Sequence, residues 1–345
     1  MKRFILIAIA FLVASLEAYS QSFSARMGNG GQLSFHVTDT TRNEVEIVRI
    51  KVLGDLQPSL PSGDLMIPSS VNCKGATYTV VSIGESAFAD ADALTSVSIP
   101  SSVRRISDKA FSGCSHLTSV IFPSSSTLMG DNVFDKCSSL SSLSFGSDWT
   151  AIDFQQFAEA TSLKEVYIPA RVGKISGLKQ LASLERIEVD PNNKAFSSHD
   201  GILYSKDGLT LYACPLAKNG HVSVYPETEK ILDGAFSNCA ALEGILLPAS
   251  IHEFAYDEFM GCAHLKTITL LSEVPPLTAK WNGAAVFAVE APNQECILQV
   301  KKEHLNRYQV NICAAEGSFE TLKGERKTEI SAGKMMDKSL IKRIR

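Results

Sequence analysis

Lys109-Ala110-Phe111-Ser112-Gly113-Cys114-Ser115-His116-Leu117-Thr118-Ser119-Val120-Ile121-Phe122-Pro123 is one copy of a pattern that recurs along the chain. Reduced to its essentials it reads A-F-x-x-C-x-x-L-x-x-V-x-Φ-P, where Φ is apolar. Phe88, Phe111, Phe134 and Phe157 stand 23 residues apart, and so do Phe236 and Phe259. Leu94, Leu117, Leu140, Leu163, Leu242 and Leu265 each follow six residues behind their Phe. Self-similarity at a fixed period makes the chain a stack of like coils, none of which can bury its apolar side alone.

Within a copy, period-two alternation turns Val120 and Phe122 inward and Ser119 and Ile121 outward on a short strand. Pro123 ends that strand, because proline fixes φ and has no N–H for a ladder. The chain then returns along the far side, with Met129 and Phe134 expected to point back into the core. A period between 20 and 29 residues is that of leucine-rich repeats. The expected fold is a mainly β solenoid, a right-handed superhelix with a parallel sheet on one face. Its convex side is irregular or carries short helical turns, and a β cap covers the N-terminal end. With Ile83-Gly84 and Ile106-Ser107 ahead of Phe, the unit resembles the BspA-like leucine-rich repeats of bacterial surface and secreted proteins over about residues 60 to 310. The resemblance implies a binding scaffold on the outside of the cell and does not specify a ligand.

Residues 1–20 read as a signal peptide: Lys2 and Arg3, an apolar run from Phe4 to Val13, then Ala18-Tyr19-Ser20. No later run is long and apolar enough to span a bilayer. The whole chain carries a net charge of −4. Without residues 1–20 it holds 31 basic against 36 acidic side chains, about −5, which argues against nucleic acid as a partner. Residues 21–60 lack the repeat and read as the N-terminal β cap, a hairpin around Thr38 to Asn43. The solenoid is expected over 61–272. Leu178, Leu181 and Leu184 take the Phe, Cys and Leu places of a shortened coil, and Ala213 takes the next Phe place. The excess length in between is read as a β-hairpin insertion at about 195–213, turning at Ser205-Lys206-Asp207-Gly208. Residues 273–323 form a capping segment with one further strand at Cys296 to Val300 and a helix near Glu303 to Val310. Residues 324–345 form a basic, disordered tail.

Eight cysteines in an exported chain invite a search for disulfides. Cys114, Cys137, Cys239 and Cys262 share one repeat position that other coils fill with Ala91, Ala160 or Leu181, so they are read as buried thiols. A bridge between stacked neighbours such as Cys114 and Cys137 stays open, and Cys296 with Cys313 is the pairing best placed outside the ladder. No C-x-x-C, G-x-S-x-G, P-loop or Rossmann glycine set occurs. His252-Glu253 lacks the second His of a zinc-protease motif, and Asp190-Pro191-Asn192-Asn193-Lys194 lacks the Gly and Glu of a calcium loop. The reading is therefore a non-enzyme with neither cofactor nor metal.

The outward strand positions are Ser-rich in the first coils: Ser96, Ser98, Ser119, Ser142 and Ser144. Further on they gather Glu165, Tyr167, Arg186, Glu188 and His221. Tyr and Arg are enriched at binding hot spots, and these five residues are the candidate partner-binding surface. A protein ligand from a host or neighbouring cell fits a secreted or surface-exposed chain. A periplasmic or structural scaffold is the second reading. A carbohydrate, stacked on Tyr167, Tyr204 and Tyr212, is the third.

Overall fold

The computed structural model describes residues 22–26, 32–49, 60–255, 258–276, 279–281, 284–286, 296–304, 319–321 and 326–327. The signal-like residues 1–20 and Cys313 lie outside them, as does most of the basic tail. The chain divides into two compact units, Met1–Leu163 and Lys164–Arg345.

In the first unit the repeat strands Gly63–Met66, Leu94–Ser98, Ser119–Ile121 and Ser142–Ser144 form one parallel ladder. Val97, Val120 and Leu143 are in register, as are Ser98, Ile121 and Ser144. The register reproduces the sequence period, and the valines turn into the core while Ile121 stays exposed. Across the core a second parallel ladder joins Glu44–Val48, Ala76–Ile83, Arg105–Ile106 and Leu128–Met129. Its N-terminal end is a meander: Ser22–Arg26 and Gln32–Asp39 pair antiparallel, and the latter pairs antiparallel with Glu44–Val48. Asp39 closes the turn by accepting from the amides of Thr41 and Arg42.

The aromatic column is the centre of this unit. Phe88, Phe111, Phe134 and Phe157 are buried, with consecutive centroids 5.0, 5.4 and 5.2 Å apart and nearly parallel planes. Those separations follow the strand spacing, so each ring covers the next. Phe122 meets Phe134 edge-on, and Trp149 seals the flank by donating its indole N–H to Pro123 O. One expectation fails here. Met129 is only half-buried and Leu128 is exposed, while Thr127 takes the inward place and donates to Val103 O. The second ladder sets its own alternation over residues 127–129, and that alternation puts the threonine inside.

The repeated cysteines are buried and do more than fill space. Cys114 Sγ donates to Phe88 O, Cys137 Sγ to Phe111 O and Cys262 Sγ to Phe236 O, at 3.1–3.3 Å. Each thiol satisfies a carbonyl of the preceding coil. Cys73, Cys114, Cys137, Cys214, Cys239, Cys262 and Cys296 are free thiols, so the Cys114–Cys137 bridge is absent, while the pairing of Cys296 with Cys313 involves a residue outside the described ones. Burial pushes Cys114, Cys137 and Cys262 up to about 12. Maleimide is therefore expected to label partly exposed Cys73 in the native protein and to spare the four repeat cysteines until denaturation. Rapid native labelling of those four would contradict this register, and a lack of thiols after denaturation would reveal bridges.

The second unit breaks the expectation of a single sheet through all the repeat strands. Glu165–Ile168 and Arg186–Val189 make a two-stranded parallel ladder. Gly220–Ser223, Leu242–Leu247, Thr267–Leu270, Ile297–Val300 and Phe319–Thr321 make another. The insertion is the reason: Ile187 N donates to Gly201 O, which occupies the edge where a repeat strand would pair. The insertion itself has three antiparallel strands rather than two: Phe196–His199, Ile202–Ser205 and Thr210–Ala213. Thr210–Ala213 then pairs parallel with Lys230–Ile231, which returns the chain to the repeat. Gly208, at φ +77°, closes the expected turn, with Asp207 accepting from Ser205 Oγ and Leu209 N.

Near the C-terminus the expected strand is present as Ile297–Val300. Lys302–His304 is a single 3-10 turn, and the rest of the expected helix lies outside the described residues. Arg326–Lys327, within the stretch read as a disordered tail, instead pairs antiparallel with Phe319–Thr321. Basic residues suit such an outermost strand, where they discourage further pairing.

Candidate functional site

Strand alternation carries Glu165, Tyr167, Arg186 and Glu188 outward, while Val166, Ile168 and Ile187 enter the core. The register places Glu165 beside Arg186 and Tyr167 beside Glu188. Four polar side chains thus form a two-by-two array, with directly opposed charges attracting across the strands. Arg186 also pairs with Glu188 along its own strand, and these carboxylates hold its guanidinium more firmly protonated than usual.

Tyr167 stands upright at the edge of the array. Its hydroxyl donates to Asp190 Oδ2 at 2.8 Å while the ring remains 46% exposed. Asp190 Oδ1 accepts from Asn192 N at 2.8 Å, so the Asp-Pro-Asn-Asn stretch is an Asx turn and not a cation loop. The Asn192 amide and the Tyr167 hydroxyl together lower the Asp190 pKa. Asp190 thus orients the tyrosine, a role that its D-P-N-N stretch, legible only as a turn signal, does not announce.

One member of the expected five stands apart. His221 is exposed on Gly220–Ser223, which pairs with Leu242–Leu247 and not with Arg186–Val189. There it lies over Gly244, where an added Cβ would come within 2.4 Å of the imidazole. Gly201 and Arg186 fill the intervening edge: a Cβ on Gly201 would meet Arg186 Cγ at 3.0 Å. The insertion thus supports the arginine from the side.

Of the three tyrosines read as sugar platforms, Tyr204 is excluded. It is fully buried, and its hydroxyl accepts from Tyr225 N. Tyr212 is exposed on the insertion. Among the described residues no cluster of three His, Cys, Asp or Glu is placed to hold a metal ion. None of the described helices is long and apolar enough to cross a membrane.

Stacked coils with two parallel ladders, a buried aromatic column and an ordered polar array on the strand face define a repeat scaffold of the leucine-rich type. Residues 78–199 and 214–280 match the BspA type leucine rich repeat region in six copies, and the chain belongs to that family. The interruption at 200–213 covers two strands of the insertion. Among solved structures the chain is similar to the pneumococcal vaccine antigen PcpA, at 17% identity over 87% of this chain and 98% of that one, with a TM-score of 0.48. It is also similar to a leucine rich cell surface protein from Faecalibacterium prausnitzii (17% identity, 93% and 97% covered, TM-score 0.40). A leucine-rich repeat protein from Bacteroides ovatus is a third (17% identity, 83% and 86% covered, TM-score 0.41). No curated protein matches the sequence. Membership in this family points to a protein-binding repeat scaffold.

Proposed function

We propose that the chain is exported, stands at the bacterial cell surface or is secreted, and binds a protein partner through the array of Glu165, Tyr167, Arg186 and Glu188. The observation that carries the reading is the fixed, exposed Tyr167 in one array with a paired arginine. Neither is required by the core, since the same outward places in other coils hold side chains as different as Ser98, Ile121, Gly244 and Thr269. Holding side chains in place before a partner arrives lowers the entropy lost on binding. The signal-like residues 1–20 support export, and adhesion to a neighbouring cell or host protein is the activity that such a surface suits.

Tyr167→Ala and Arg186→Ala are each expected to change stability by no more than about 0.5 kcal/mol, as for most surface substitutions. Each is expected to weaken partner binding by about 1–2 kcal/mol. The test captures partners from extracellular-matrix and same-organism extracts with the wild-type chain and both variants, then measures affinities. Equal binding by all three removes the array from the interface, and unfolding of Tyr167→Ala contradicts its outward placement. Protease treatment of whole cells is expected to remove the protein; protection would instead favour the periplasmic scaffold.

A further inference from the structure

The coils that lack the aromatic residue leave a cleft in the second unit. Leu178 and Ala213 hold the Phe place there, before the column resumes at Phe236 and Phe259. Leu178 is only half-buried, in contrast with the fully buried phenylalanines. Beside it opens a cleft of about 550 Å³, lined by residues 173–180, by Phe196, Leu203, Tyr212 and Ala213 of the insertion, and by Asp233 and Gly234. That volume falls in the rough 300–1,000 Å³ range of small-ligand sites. The strand face already described takes no part in it.

Its chemistry is mixed in a particular way. Tyr212 is 39% exposed and braced edge-to-face against buried Phe196, with centroids 5.5 Å apart. Lys174 and Asp233 are exposed and engage in no ion pair among the described residues. Lys179 is committed elsewhere, since its ammonium donates to Cys214 O, Ala235 O and Ser237 O. The charges open to a ligand are thus one of each sign, Lys174 and Asp233, which matches a ligand that offers both donors and acceptors rather than a single charge. A wholly apolar ligand would desolvate both charges without pairing them. A neutral pyranose satisfies each feature: its C–H face lies on an aromatic ring, and its hydroxyls accept from an ammonium and donate to a carboxylate.

We propose that this cleft binds a neutral sugar residue stacked on Tyr212, with hydroxyls bonded to Lys174 and Asp233. Two variants address the site from different directions. Tyr212→Ala removes the platform. Gly173→Phe fills the cleft from its rim, where an added Cβ meets nothing within 4 Å and the backbone is unstrained. Saturation-transfer NMR on the full chain would use methyl glycosides of glucose, galactose, mannose and N-acetylglucosamine, with glucuronate and glucosamine as charged counterparts. The expected result is transfer to the ring C–H protons of at least one neutral glycoside, stronger than to either charged sugar. Both variants should bind at least tenfold more weakly at an unchanged melting temperature. If Tyr212→Ala loosens the insertion, Gly173→Phe alone decides. Absence of transfer to every neutral glycoside, preference for a charged sugar, or undiminished transfer in Gly173→Phe would overturn the proposal.

Discussion

Phe134→Ala is expected to destabilise the first unit by about 3–5 kcal/mol, the range for deleting a buried aromatic side chain. Phe134 is packed on both flanks, with Phe111 at 5.4 Å and Phe157 at 5.2 Å, and Phe122 meets it edge-on at 6.0 Å. Each neighbour belongs to a coil whose position is fixed by strand register, so the coils cannot slide together to close the void. Phe236→Ala should fall at the lower end of the range. Among the described residues its ring has only Phe259, at 5.8 Å, as a column neighbour, and the Phe place of the coil before it holds Ala213. Denaturant unfolding of the two variants measures both effects. A loss below about 1 kcal/mol for Phe134→Ala would mean that the ring does not sit in a packed column.

Asn193→Ala is expected to cost about 3–4 kcal/mol, although a single polar side chain is removed. Asn193 is fully buried, and its amide makes four hydrogen bonds. The nitrogen donates to Pro169 O and Val172 O at 2.8 and 2.9 Å, and the oxygen accepts from Ala195 N and Phe196 N, both at 2.8 Å. Alanine leaves Val172 O, Ala195 N and Phe196 N without these partners, while Pro169 O keeps the amide of Val172, and each orphaned buried group costs roughly 1–3 kcal/mol, less where water enters. Asn193→Asp should not rescue, because a carboxylate would face two carbonyl oxygens. The damage should centre on the insertion, with faster hydrogen exchange at Ala195 and Phe196 than in the Val120 strand. An effect within about 0.5 kcal/mol would remove Asn193 from its place as the pin between coil and insertion.

The periodic part of this architecture was open to reading because the repeat puts the same demand on every coil. A buried column admits Phe, a thiol site admits Cys or Ala, and strand alternation decides which side chains emerge. Hence Ile121 and Tyr167 were placed outward, and Val120 and Val166 inward, from spacing alone. The misreadings fall where one coil answers to something other than its neighbours. Phe-Ser-Ser-His at 196–199 shows no alternation, because this strand pairs inside the insertion and is braced by Asn193. The single-sheet expectation failed because Gly201 O takes the amide of Ile187, a contact between residues that no repeat relates. Asn193 itself looked like loop composition; nothing in a polar tetrapeptide announces that one member is fully buried. His221 occupied the right repeat position and still fell in a different ladder, since repeat position fixes the direction of a side chain and not its pairing partner. The cleft beside Tyr212 follows from two substitutions, Leu178 and Ala213, that were legible as departures from the Phe column. Their consequence depended on where the insertion folded.

Photo-crosslinking to the captured partner tests the proposed binding surface most directly. A benzophenone side chain is introduced at Lys164, which is exposed beside the array and pairs only at its edge with Glu185. A second is introduced at Leu128, which is 70% exposed on the second ladder of the first unit. The array, if it is the interface, yields a partner adduct from position 164 and none from position 128, and Tyr167→Ala depletes that adduct. An adduct from position 128 with none from 164 would contradict binding through the strand face.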